Sequence, residues 1–137
     1  MHLAGSGLLF SATDLANYSG CGQRTWLDRL KALGREKPDY FGPDARLELL
    51  RERGFEHERN LLARFESEGQ SVRRFGAVTK EERTPEGYAR RAADTERAMR
   101  ESPDVIYQGT LFDGQWVGHV DFLIRVERSS ALGAWSY

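Results

Sequence analysis

From Asp104 to Glu127 the chain reads DVIYQGTLF, then Asp113-Gly114, then QWVGHVDFLIRVE. Both flanking runs are rich in β-branched and aromatic residues with period-two alternation, and Asp-Gly is a favoured two-residue turn, so the pattern predicts a β-hairpin. Along its second strand Trp116, Gly118, Val120, Phe122, Ile124 and Val126 share one face. Val117, His119, Asp121, Leu123 and Arg125 share the other.

Upstream the apolar repeat lengthens to that of helices. FSATDLANY predicts a helix start, with Ser11 capping against Asp14 and Phe10 placed to staple onto Leu15. Gly20 and Gly22 flank Cys21 and break this helix, leaving the thiol in a tight corner. QRTWLDRLKAL resumes helically with Trp26, Leu27, Leu30 and Leu33 inward and Gly34 as the stop. REKPDYFGP reads as a linker, after which Asp44 caps a long helix from Ala45 to about Glu68. Its stripe is Leu47, Leu50, Leu61 and Phe65, with a gap that Gly54 and His57 or Glu58 should fill. QSVRRFGAVTK predicts a strand, and Thr84-Pro85 opens a last helix with Tyr88, Ala92, Thr95 and Met99 inward. The order predicts an α/β (α+β) core behind a helical N-terminal segment.

Composition narrows the class. The 137 residues, 39% hydrophobic and 30% charged, suit one foldable domain at most. No apolar run approaches the roughly 18 residues of a membrane span, and the first 15 residues lack the cationic start of a secretory signal, so the expectation is a cytoplasmic protein with no membrane partner. A net charge of −1 advertises no global field for nucleic acid. Arginine supplies all but three of the 20 cations, a bias that base composition explains as readily as phosphate binding. Arg73, Arg74, Arg90, Arg91 and Arg97 are the candidate nucleic-acid contacts, although a face bearing both signs of charge is usually just solvated.

Two other positions stand out. Asp121 lies mid-strand among apolar neighbours, where a carboxylate pairs with an arginine, faces water on an edge strand, or ligates a hard cation such as Mg²⁺. His57 lies on the long helix, one turn after Gly54. A lone helix histidine is usually a satisfied core residue, but a helix-interior glycine costs about 1 kcal/mol against alanine, which suggests close approach to the backbone there.

GFEHERNLLARF together with VIYQGTLFDGQWVGHVDFLIRV resembles the RecB-like branch of the PD-(D/E)XK nuclease superfamily. The likeness is greatest to uncharacterised RecB-like nucleases related to the CRISPR-associated RecB-type exonucleases, and FSATDLANYSGCGQRTWLDRL resembles the same proteins. The resemblance runs from about Phe10 to Tyr137. It implies a Mg²⁺- or Mn²⁺-dependent nuclease acting on DNA in preference to RNA, with His57 and Asp121 as catalytic metal ligands and Cys21 as the first ligand of a 4Fe-4S cluster. His119 has no role in that pattern and reads as a supporting or packing residue.

The departures from the family pattern are specific. Its third motif, an acid two positions before a lysine, is absent: no lysine here has that acid, and none follows Asp121. The remaining cluster cysteines are absent too, so neither metal nor cluster is expected to bind stably. GAWSY reads as the start of the strand that should carry the third motif. The expectation is therefore a single incomplete domain over 1–137. Residues 10–34 would form a cysteine-bearing helical opening, and residues 44–137 part of a restriction-endonuclease-like core. Such a truncated chain should be inactive alone, with the Asp121 strand left as a long apolar edge. A helicase or second nuclease domain in the full-length gene stays open. The rival readings are a non-catalytic nucleic-acid-binding module and a structural or interaction domain.

Overall fold

A computed structural model describes residues 1–4, 7–35 and 45–137. The predicted linker, apart from Arg35, and the Asp44 cap lie outside these. The elements run β1 (His2–Ala4), β2 (Gly7–Ser11), α1 (Ala12–Gly20), α2 (Gly22–Ala32), α3 (Ala45–Ser67), β3 (Val72–Arg74), α4 (Pro85–Glu101), β4 (Val105–Phe112) and β5 (Trp116–Ile124). The strands form one mixed sheet in the order β1-β2-β5-β4-β3, which bears out the α/β expectation. No helix among the described residues is long and apolar enough to cross a membrane.

The β4–β5 hairpin is the spine of the sheet, with antiparallel pairs from Val105↔Ile124 to Phe112↔Val117. Its turn is displaced one residue from the expected Asp113-Gly114. Asp113 still pairs with Trp116, donating to its carbonyl at 3.3 Å, so Gly114 and Gln115 are the central residues. The cause is local: the Asp113 carboxylate accepts from the amides of Gln115 and Trp116 at 2.9 and 2.7 Å, and Gly114 supplies the positive φ of +101°.

Helix α4 covers one face of the hairpin. Thr84 accepts from the Gly87 amide at 3.1 Å, Pro85 occupies the first turn, and Ser102 closes the helix in the left-handed region. Tyr88, Thr95 and Ala98 of α4 are buried, Tyr88 clustering with Val117 and Leu9 and the Thr95 hydroxyl accepting from the Thr110 amide. Full burial of Val105 and Ile106 contributes about 1.5–3 kcal/mol each. Two glycines permit this closeness. A Cβ on Gly109 would sit 3.1 Å from the Thr95 methyl. One on Gly87 would fall 2.8 Å from the Glu82 carbonyl carbon and closer still to its oxygen.

Strand alternation turns Tyr107 and Phe122 to the opposite face, where Phe65 of α3 meets Phe122 edge-on at 5.7 Å. Here the expected stripe is corrected. Leu62 is the buried residue of α3, while Leu47 and Leu50 are exposed, because only the C-terminal part of the helix reaches the sheet. Trp26 is likewise exposed, because α2 turns its Leu27–Asp28 side inward and Asp28 accepts from the Asn17 amide of α1 at 3.2 Å.

The N-terminal strands were not anticipated. β2 pairs in parallel with β5 through Phe10↔Trp116 and Ser11↔Val117, so the start of the Asp121 strand has a neighbour where a bare edge was expected. The GAWSY segment adds no strand to the sheet. It folds back on the end of α4, bridging Ser136 to Val126, with the Trp135 indole donating to the Met99 carbonyl at 3.1 Å and the Tyr137 hydroxyl to the Pro103 carbonyl at 2.6 Å. The aromatic donors find helix-end carbonyls there, which removes the expected strand.

Candidate functional site

Asp121 lies across the hairpin from Gln108, between the pairs Tyr107↔Phe122 and Gly109↔Val120. The ladder is interrupted at this point, because Gln108 has a φ of +59°. A non-glycine residue held there is strained by on the order of 1–2 kcal/mol. The distortion directs the Gln108 amide nitrogen to two acids at once. It donates to Glu58 of α3 and, at 3.4 Å, to Asp121. Glu58 also holds the Tyr107 phenol. That hydrogen bond, with burial and the charges of Glu58 and Asp121 behind it, raises the Tyr107 pKa above its ordinary 10.0.

Two carboxylates from different elements therefore converge on one amide. Neither has a salt-bridge partner among the described residues, so the arginine-pairing reading of Asp121 does not describe this arrangement. Asp121 is exposed and Glu58 half-buried. The oxygens are hard donors suited to Mg²⁺ or Mn²⁺, and two carboxylates with substrate phosphate are a common way to hold Mg²⁺. Among the described residues no three of His, Cys, Asp and Glu converge. The fit is correct in kind and sparse in number.

The side chain that α3 brings toward Asp121 is that of Glu58. His57, one residue earlier, is exposed. One helical residue is a rotation of about 100°, which separates neighbours onto different faces. The close approach expected at Gly54 is not found among the described residues: a Cβ there would meet none of their atoms within 4 Å. Gln108 carried no signal in the sequence. Its role comes from a backbone conformation that glutamine does not advertise.

Cys21 is exposed, in extended backbone at the junction of α1 and α2. A single thiol is one ligand, and four irons need about four, so this chain's cysteine does not fit a cluster. The candidate arginines are mostly engaged with acids. Arg74 pairs with Glu66, Arg97 with Asp94 at 3.1 Å, and Arg90 with Glu82 at 3.7 Å. Arg91 also bonds Glu82, at 3.2 Å, and Arg73 stacks over Phe75 at 5.7 Å. His119 packs by Tyr88, with ring centroids 5.9 Å apart, and its Nδ1 lies 3.4 Å from the Thr110 hydroxyl. Burial first, then the charges of Arg91 and Arg83, hold its pKa below the ordinary 6.5.

Comparison with family profiles, with curated proteins and with solved structures returns no match.

Proposed function

We propose that this chain contributes a divalent-metal site to phosphodiester hydrolysis of DNA, in the manner of RecB-like nucleases, and that it does not turn over substrate by itself. The observation that supports this is the convergence of Glu58 and Asp121 on the Gln108 amide at a strained point of the hairpin. Glu58 and Asp121 would hold Mg²⁺ or Mn²⁺. When bound, such an ion polarises a phosphoryl oxygen and lowers the pKa of coordinated water. The protein's own contribution is placement: β5 and α3 present the acids, and Gln108 holds both while leaving Asp121 open to solvent. The missing partner is a lysine beside a third acid, for which these 137 residues hold no motif.

Mn²⁺ binding followed by electron paramagnetic resonance tests the assignment. Weak binding is expected, reduced at least about tenfold in Asp121→Ala and in Glu58→Gln, because each removes a charged ligand. His57→Ala should bind as the parent does. Loss of binding in His57→Ala with retention in Glu58→Gln would return the ligand role to the histidine. Incubation with long single- and double-stranded DNA should give no cleavage. Turnover abolished by Asp121→Ala would overturn the second half of the proposal.

A further inference from the structure

Gln108 also borders a pocket of about 540 Å³, whose wall includes His2, Arg83, Tyr88, Arg91 and His119. Its electrostatics are one-sided. Arg91 is fixed in place, donating to the Thr110 hydroxyl at 3.3 Å, to the Gly76 carbonyl, and to Glu82, with 12% of its side chain exposed. Glu82 is already shared between Arg91 and Arg90 and accepts from the Thr79 amide at 3.0 Å. Arg83 is different: no acid among the described residues forms an ion pair with it. Its charge is felt across the pocket at His2, Tyr88 and His119.

The second observation is a buried nitrogen without a partner. His2 Nε2 is shielded from solvent and makes no hydrogen bond among the described residues. The acid nearest in influence to His2 is Asp14, and that carboxylate is taken up by the Met1 ammonium and by the amide and hydroxyl of Ser11. An unsatisfied buried polar atom costs about 1–3 kcal/mol, and a turn of the His2 ring would be needed to bring this one to an oxygen in the pocket. The rim segment packs closely on α4, because Gly87 lets the Glu82 carbonyl lie directly on the first turn of that helix.

We infer that this pocket binds a phosphoryl oxyanion, with Arg83 as its principal charge and Arg91 as a fixed positive wall. A tetrahedral oxyanion offers several acceptor oxygens to donors that converge from different elements, and arginine suits such geometry. The inference deepens the proposed nuclease reading by adding a phosphate subsite to it. His119 in this wall and Asp121 lie two residues apart on one strand face, about 7 Å by strand geometry. That separation is comparable to the step between successive phosphates of an extended nucleic-acid strand. The pocket itself stands on residues other than Glu58 and Asp121, so each idea fails separately.

Nuclear magnetic resonance of the Arg83 Nε–Hε group and the Gly76 and Val78 amides tests the pocket. Inorganic phosphate, added at constant ionic strength against chloride, should shift these signals saturably. Arg83 is exposed and its side chain donates no hydrogen bond among the described residues, so Arg83→Ala leaves the fold intact, as the remaining spectrum would verify. This variant should weaken phosphate binding at least about tenfold, with partial recovery in Arg83→Lys. Asp121→Asn should bind phosphate as the parent does even where Mn²⁺ binding is lost. A 5′-phosphorylated tetrathymidylate that binds more tightly than both inorganic phosphate and its unphosphorylated counterpart assigns the site to a nucleic-acid strand. No gain over inorganic phosphate assigns it to free phosphate or a small ester. Shifts that follow ionic strength alone, or affinity unchanged in Arg83→Ala, would overturn the inference.

Discussion

The segment from Thr84 to Ile124 and the helices from Ala12 to Ser67 are both rich in apolar side chains, yet they use them differently. In the first, Ile106 is fully buried, and Thr95 and Thr110 are buried with their hydrogen bonds made: the Thr110 amide donates to the Thr95 hydroxyl at 3.0 Å. In the second, α2 has no buried residue, Trp26 is 58% exposed, and Leu15, Tyr18, Leu47, Leu50 and Phe55 also face solvent. The contrast shows that an apolar stripe produces a core only where a facing surface is close enough. Helix α4 has such a surface because glycines at positions 87 and 109 let backbone and sheet approach it. The first two turns of α3 have none among the described residues.

The contrast predicts where substitutions will be felt. The largest loss should come from Ile106→Ala, about 2–5 kcal/mol by chemical denaturation, whereas Leu50→Ala should stay within about 0.5 kcal/mol. Equal losses at the two positions would erase the distinction. Gly87→Ala should destabilise by about 1–3 kcal/mol, because the new methyl meets backbone and the Glu82 turn must move. An unchanged denaturation midpoint would show that turn to be free to shift.

A smaller effect is expected from pH. Burial first, then the Met1 ammonium and Arg83, hold the His2 pKa below its ordinary 6.5, against the opposing charge of Asp14. Between the depressed value and 6.5 the folded chain binds fewer protons than the unfolded one, so stability falls as pH drops through that window and levels off below it. His119 is shifted in the same direction and adds the same sign. His2→Phe keeps a ring against Tyr88, 5.9 Å away in the parent, and should lose less stability than the parent between pH about 7.5 and about 5.5. An identical loss in both would remove His2 as a contributor. A small effect of opposite sign belongs to the loose half: Gly54→Ala meets nothing within 4 Å among the described residues and should stabilise by about 0.5–1 kcal/mol, and a loss would mean that other atoms do approach that backbone.

Legibility followed the same division. The hairpin, the α4 cap at Thr84 and the stop at Gly34 were readable from local rules, each resting on a residue whose own chemistry demands the conformation. Strands β1 and β2 were not, because a short Gly- and Ser-punctuated run becomes a strand only when β5 supplies partners. Asp121 was visible as an anomaly from its strand context alone. Its companions were not: choosing Glu58 over His57 needs the rotation of α3 about its axis, and Gln108 needs a backbone twist that leaves no trace in residue type.

The sequence by itself determined the local elements wherever periodicity, caps and turn residues agreed, and it marked one carboxylate as out of place. Only the tertiary structure decided which acid joins it, which leucines are covered, and that Arg83 and His2 face a common pocket. The reason is physical: local propensity acts within a few residues, whereas burial and electrostatic neighbourhood depend on surfaces that only meet when distant segments pack.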